Sequence, residues 1–226
     1  MNKGRLYGVG VGPGDPELLT LKAARLLREC DAVAIPRKRA QCAALRIAAA
    51  AVPQLAAKPL LEVELPMTRD RDLLERARAA GAALLGAQLD AGKTVVFLTL
   101  GDPSVYSTYS YLHTRLRALG YDARMVAGVP SFCAAAAALD LPLCQDREEL
   151  HLLPGGQADA ALAYPGTKVF LKGGLPALLE ALERRDLAVQ GVRDCGTREE
   201  TLYRSLEDIP ADAGYYTVVI AKEKTP

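Results

Sequence analysis

The sequence has no tryptophan, three phenylalanines and two histidines, His113 and His151. With so few imidazoles, so far apart, metal-assisted chemistry is not expected. The five cysteines, Cys30, Cys42, Cys133, Cys144 and Cys195, are odd in number, and none forms a Cys-x-x-Cys pair. Neither a zinc site nor a disulfide framework is indicated, and the thiols read as free in a reducing compartment. An excess of one charge is also missing: 28 basic side chains face 27 acidic ones, for a formal net charge of +1. A general nucleic-acid binder would be markedly basic. No uncharged apolar run reaches the roughly 18 residues that a membrane span needs. The first residues, Met-Asn-Lys-Gly-Arg, lead into a strand pattern without the apolar region of a signal peptide. The expectation is a soluble, cytoplasmic protein with no nucleic-acid or membrane partner.

What is present is a chain of 226 residues, half of them hydrophobic, enough to fill one large domain or two small ones. Its centre of organisation is Thr94 to Leu119. Thr94-Val-Val-Phe-Leu-Thr-Leu100 is apolar or β-branched throughout and suits a buried strand. Gly101 permits a sharp turn or the close approach of a ligand. Asp102 and Pro103 fit the cap and first position of a helix. Val105, Tyr109, Leu112, Leu116 and Leu119 then fall at helical spacing, which predicts a helix from Asp102 onward. Tyr106 and Tyr111 face away from that stripe and are freer to line a cleft.

The same grammar appears elsewhere. Arg5 to Val11 reads as a first strand, followed by Gly8-Val-Gly-Val-Gly-Pro-Gly-Asp-Pro16 and a helix carrying Leu18, Leu19, Ala23, Leu26 and Leu27. Ala32 to Ile35 and Leu60 to Leu65 read as strands. Cys42 to Val52 and Asp72 to Leu89 read as helices. Ala123 to Ala127 is a short strand before Gly128-Val-Pro-Ser131, and Ser131 caps an alanine-rich helix to Leu139. Beyond it the pattern restarts, with strands expected at Glu149 to Leu153, Thr167 to Leu171, Ala188 to Cys195 and Tyr215 to Ala221. Helices are expected at Ala158 to Ala163, Leu175 to Arg185 and Glu199 to Leu206. The fold class implied is α/β, with a parallel first half and a more mixed second half. A boundary falls between about Asp122 and Ser131, giving domains of 1–125 and 126–226.

Three loops, Gly10 to Pro16, Gly101 to Tyr106 and Gly128 to Phe132, each follow a strand and open a helix. In one parallel sheet they share the carboxyl edge, where open α/β sheets bind ligands. A dinucleotide fingerprint is not met. Starting G-x-G-x-x-G at Gly8 puts Pro13 at the third glycine, and starting at Gly10 puts Asp15 there. No Walker pattern is present. Arg37-Lys38-Arg39 follows the second strand, and reads either as a solvated loop or as a clamp for a polyanion. Lys172 ends a strand before Gly173-Gly174.

Gly8 to Thr20 and Leu100-Gly-Asp-Pro103 resemble the tetrapyrrole (corrin/porphyrin) methyltransferases, the class III S-adenosylmethionine enzymes. Within them, Phe97 to Leu112, with its Tyr-Ser-Thr-Tyr-Ser-Tyr string, is similar to the precorrin-2 C20-methyltransferases of cobalamin biosynthesis. Pro66-Met-Thr68, Gly128 to Phe132 and Tyr215 to Ile220 resemble the same group. The resemblance implies two α/β domains in a homodimer. S-adenosylmethionine would lie in a cleft that the second domain closes, the first domain holding the substrate trough and a cofactor loop. For the cofactor it implies Pro13, Leu100, Gly101, Asp102, Val105 and Tyr106, then Ser131 and Phe132. From the far end of the chain it implies Leu171, Lys172, Tyr216 and Thr217. Asp15, Arg37, Lys38 and Tyr111 are implied for the tetrapyrrole, and Asp102 and Tyr106 are candidates for handling a proton, with Asp15 a further one. No metal is implied. The substrate would be precorrin-2 or cobalt-factor II. Two rival readings keep the cofactor site: a class III enzyme acting on another tetrapyrrole position, a protein or RNA, and a non-catalytic nucleoside-binding domain. If the basic triplet is a carboxylate clamp, replacing Arg37 and Lys38 by Ala weakens tetrapyrrole binding in a titration and leaves cofactor binding intact. An unchanged tetrapyrrole affinity sinks the clamp.

Overall fold

A computed structural model describes residues 3–154 and 162–224. The chain packs as two compact units, Met1–Pro130 and Ser131–Pro226.

The first unit is a parallel sheet covered on both faces. Its strands are β1 (Arg5–Gly10), β2 (Ala32–Ile35), β3 (Leu60–Glu62), β4 (Val95–Thr99) and β5 (Asp122–Val126), in the order β3-β2-β4-β1-β5. Every pairing is parallel. Four helices connect them: α1 (Leu21–Glu29), α2 (Ala43–Ala51), α3 (Arg71–Asp90) and α4 (Tyr109–Ala118). Side chains alternate across a strand, and the core divides accordingly. Val33, Ile35, Val96 and Leu98 join Leu26, Leu27, Ile47 and Ala48 of α1 and α2 on one face. Ala32, Ala34, Val95 and Phe97 join Leu85, Leu89, Leu112 and Leu116 of α3 and α4 on the other. A parallel sheet buried on both sides needs continuous apolar strands, and Val-Val-Phe-Leu-Thr of β4 is wholly buried.

The second unit holds a mixed sheet, β6-β7-β10-β8-β9, made of β6 (Leu150–Pro154), β7 (Thr167–Leu171), β8 (Leu187–Arg193), β9 (Thr201–Tyr203) and β10 (Thr217–Glu223). Only β6 and β7 run parallel; β10 is antiparallel to β7 and β8, and β8 to β9. Helix α6 (Leu175–Glu183) buries Leu175, Leu178, Leu179 and Leu182 with Phe170, Val189 and Val219. The alanine-rich α5 (Ser131–Ala138) packs on β8 and β10, and its buried Ala134, Ala135 and Ala136 allow a close approach.

Several expectations are corrected. No helix starts at Asp102: α4 begins at Tyr109, because Tyr106 takes a left-handed backbone, φ 45°, that no right-handed helix admits. Val105 therefore lies outside the stripe, and Leu119, the helix C-cap, is 59% exposed. Asp15-Pro16 opens only a short 3-10 turn, Pro16–Leu18. Thr20 caps α1 instead, its hydroxyl accepting from Ala23 N at 3.2 Å. Glu199 to Leu206 is not helical; Thr201-Leu-Tyr203, β-branched and aromatic, joins the sheet edge beside β8. Strand β3 ends at Glu62, short of Leu65. Residues 158–161 of the expected helix Ala158 to Ala163 lie outside the described residues.

One contact ties strand to helix. Tyr109, fully buried, lies over Gly8 of β1 and donates its hydroxyl to Arg124 O of β5 at 2.9 Å. A Cβ at position 8 would stand 2.0 Å from the Tyr109 ring. Gly8→Ala is expected to lower stability by about 1–3 kcal/mol through overpacking, read from the urea midpoint; a wild-type midpoint contradicts this packing.

Candidate active site at the carboxyl edge of the first sheet

The chain ends of β1, β4 and β5 meet by backbone. Gly12 and Gly101 form an antiparallel bridge, with Gly101 N donating to Gly12 O at 2.8 Å and Gly12 N to Gly101 O at 3.3 Å. Val11 N donates to Thr99 O at 3.0 Å. Gly128 closes the group from the β5 side. An added Cβ at Gly10 would sit 2.4 Å from Gly101 O and 2.8 Å from Gly128 Cα, and one at Gly128 would sit 2.3 Å from Gly101 O. Only glycine permits three main chains so near one another.

Asp102 locks this junction. One carboxylate oxygen, Oδ1, accepts from Ser104 N at 2.8 Å and from the Ser104 hydroxyl. The other, Oδ2, accepts from Gly128 N at 2.9 Å. The residue expected to cap a helix thus turns its own loop and ties that loop to the β5 loop. A third tie is buried: Thr99 and Ser107 share a hydroxyl hydrogen bond at 2.8 Å, and Ser107 Oγ accepts from Tyr109 N at 3.1 Å. Ser107 therefore supplies the helix-opening bond that Asp102 does not.

The loops Gly10 to Pro16, Leu100 to Tyr106 and Gly128 to Pro130 contain two carboxylates, Asp15 and Asp102, and no lysine or arginine. Asp15 accepts from Glu17 N at 2.8 Å. An edge of backbone groups without a cation does not suit a polyphosphate, whereas it accepts a cationic sulfonium without repulsion. Tyr106, 43% exposed and in its left-handed conformation, stands on this edge with half-buried Val105. Backbone strain of this kind collects at functional sites. Pro13 and Leu100 are also half-buried.

The substrate candidates divide. Arg37 reaches Met67, its Nη2 lying 3.8 Å from Sδ. Lys38 stands exposed before a 3-10 turn, Arg39–Gln41. Tyr111, 52% exposed, carries the Arg78 guanidinium over its ring at 3.7 Å. That partner was not legible from sequence, because Arg78 shares no motif with the tyrosine string and meets it only through the packing of α3 on α4. The tie from Asp102 to Gly128 likewise has no sequence signal.

In the second unit, Ser131 opens α5 and Phe132 is buried within it. Leu171 ends β7, and Lys172, Gly173 and Gly174 follow with left-handed backbones, φ 67°, 82° and 76°. Tyr216 precedes β10, and Asp194 N donates to its carbonyl at 3.3 Å. Thr217 is buried, its hydroxyl donating to Ala213 O at 3.0 Å. Strands β7 and β10 are antiparallel neighbours, so the end of one and the start of the other lie at the same edge of this sheet.

Thiol chemistry is disfavoured. Burial, aided by Glu200, pushes the Cys195 thiol up to about 12, and burial also raises Cys30, Cys42 and Cys133. Among the described residues, no group of three or more His, Cys, Asp and Glu is placed to hold a metal ion. Among them, too, no helix is long and apolar enough to cross a membrane.

The model of the family described as Tetrapyrrole (Corrin/Porphyrin) Methylases matches residues 5–210. The chain belongs to this family. Among its relatives, a precorrin-2 C(20)-methyltransferase of Sinorhizobium sp is 35% identical over 237 aligned positions, covering 96% of this chain and 94% of the relative. A cobalt-precorrin-2 C(20)-methyltransferase of Salmonella typhimurium is 31% identical, covering 98% and 97%. Among solved structures, uroporphyrin-III C-methyl transferase from Thermus thermophilus, complexed with S-adenyl homocysteine, superposes with a TM-score of 0.68 at 26% identity, covering 97% of this chain and 98% of that one. The family is one of S-adenosylmethionine-dependent methyltransferases, and its α/β fold is the one found here.

In this tetrapyrrole methylase the Asp102 tie is testable by itself. Asp102→Ala removes the acceptor for Gly128 N and both Ser104 donors. It should cost about 1–3 kcal/mol of stability, the price of leaving a half-buried N–H unpaired, measured by urea unfolding. Asp102→Asn, which keeps one acceptor, should lie between that variant and wild type. Equal stability of all three contradicts the lock.

Proposed function

We propose that this protein transfers a methyl group from S-adenosylmethionine to C20 of precorrin-2 or of cobalt-factor II, in cobalamin biosynthesis. The reading rests on one observation above all: likeness to precorrin-2 C20-methyltransferases extends over nearly the full length of both chains. The loops at the carboxyl edge of the first sheet support it, offering backbone and carboxylates and holding no lysine or arginine of their own.

The cofactor supplies an activated methyl group whose departure leaves a neutral thioether. The acceptor carbon, enamine-like in a reduced tetrapyrrole, is already nucleophilic, so the protein's contribution is alignment more than acid or base strength. We assign the methionine end of the cofactor to Leu100, Gly101 and Asp102, with Pro13, Val105 and Tyr106 beside it. From the second unit we assign it Ser131, Phe132, Leu171, Lys172, Tyr216 and Thr217. Asp102 is proposed as a positioning residue, since both its oxygens already accept hydrogen bonds. Tyr106, 43% exposed on this edge, is proposed to position the water that carries away the proton lost after methylation. Asp15, Arg37, Lys38 and Tyr111 are assigned to the tetrapyrrole. We further propose that the enzyme works as a homodimer in the cytoplasm and takes no metal of its own.

Incubation with S-adenosylmethionine and reduced tetrapyrrole, followed by mass spectrometry, is expected to give a single added methyl group. Parallel reactions with precorrin-2 and cobalt-factor II identify the preferred acceptor. Cofactor binding with no methyl transfer to either overturns the proposal.

A further inference from the structure

A concavity lies in the first unit between the segment after β3 and helices α3 and α4. It has a volume of about 440 Å3 and is lined by the segment after β3, the start of α3 and the start of α4. Pro66, Met67 and Leu74 give it apolar walls, while Arg69, Arg78 and Tyr111 bring polar groups to it. No acidic residue lines it.

The charge is uncompensated. Glu75, three residues before Arg78 on α3, is taken by Arg115 of α4. Arg78 lies instead over the Tyr111 ring, its guanidinium carbon 3.7 Å from the centroid. Among the described residues neither Arg69 nor Arg78 forms an ion pair. A guanidinium stacked on an aromatic face keeps its edge donors free to meet a carboxylate in two parallel hydrogen bonds. Arg37, reaching Met67 on the cavity wall, adds a third cation nearby.

Position supports the same reading. In a parallel sheet the segments after β3 and after β4 leave from the same edge, and only β2 separates the two strands. Neighbouring strands are about 4.8 Å apart, so β3 and β4 are separated by roughly 10 Å. The chain segments that line the cavity and those that form the glycine junction therefore leave the sheet from the same edge. The volume lies at the low end of the range for small-molecule pockets, which suits one edge of a tetrapyrrole and not the whole ring.

We propose that this cavity takes a carboxylate-bearing arm of the tetrapyrrole, with Arg78, held over the Tyr111 ring, as the group that pairs with the carboxylate. Arg78 is then a specificity-determining residue, fixing which edge of the macrocycle enters first and so which carbon faces the methyl donor. The inference rests on the tetrapyrrole reading above.

The test compares wild type, Arg78→Gln and Arg78→Lys in steady-state methylation of the reduced tetrapyrrole, with urea midpoints measured for all three. Loss of a charge-assisted pair predicts that Arg78→Gln raises KM for the tetrapyrrole about ten- to hundred-fold. Its KM for S-adenosylmethionine and its urea midpoint should stay within about twofold and at the wild-type value, respectively. Arg78→Lys, which retains charge without the planar fork, should recover part of the loss. Active wild type with an unchanged tetrapyrrole KM in Arg78→Gln overturns the inference and leaves the function standing. A parallel rise in both KM values with a lowered midpoint also overturns it, because a merely structural role gives that pattern. Wild type that binds S-adenosylmethionine but methylates no tetrapyrrole overturns the function, and this inference with it.

Discussion

Three main chains meeting at Gly10, Gly101 and Gly128 are the constraint on which the first unit's functional edge depends. Added methyl groups at Gly10 or Gly128 would stand 2.3–2.4 Å from Gly101 O, a distance no packing tolerates. The approach leaves few side chains between the loops, so the edge consists of backbone donors and acceptors held in one arrangement. Asp102 keeps it there by accepting from Ser104 and Gly128 together. A junction made from backbone and one carboxylate has little freedom to rearrange, which is the property a transfer reaction limited by alignment requires.

The surrounding architecture follows from holding that junction. Strands β4, β1 and β5 are adjacent, so the loops leaving them are adjacent as well. Burial of β4 on both faces makes the sheet stiff beneath them. Tyr109 then sets the height of α4 by lying on Gly8, and its hydroxyl reaches across to β5. Ser107 and Thr99 close the gap between strand and helix out of water. The string Tyr-Ser-Thr-Tyr-Ser-Tyr thus divides its work: Ser107 and Tyr109 turn inward and hold the fold, while Tyr106 and Tyr111 remain exposed.

Charge is distributed by the same topology. The loops at the glycine junction have no lysine or arginine, whereas Arg37, Arg69 and Arg78 gather beside the cavity near β3. On the proposed function, a cationic cofactor and a polyanionic acceptor would meet matching charge on neighbouring stretches of one sheet edge, although the chain as a whole is close to neutral. In the second unit, β7 ends in a turn of left-handed backbone in which Lys172 carries the strain and Gly173 and Gly174 do not.

Much of this was legible in the residues alone. Nearly continuous apolar runs marked β2 and β4 because parallel central strands are buried on both sides. Glycine after β1, β4, β5 and β7 marked the turns, and the Gly-Asp-Pro and tyrosine-serine segments carried the family resemblance. Errors fell where two local signals competed. Asp-Pro reads as a helix start at both Asp15 and Asp102, yet both carboxylates accept within a tight turn, and a left-handed Tyr106 delays α4. Thr201 to Tyr203 reads as helix until a sheet edge is available to pair with it. Sequence by itself determined the α/β class, every described strand but β9 and the glycine-edged loops, since periodicity and backbone freedom are local properties. Only tertiary structure decided that Asp102 binds Gly128, that Tyr109 rests on Gly8 and that Arg78 covers Tyr111. Each joins residues far apart in the chain, and no local preference encodes which distant partner a side chain will meet.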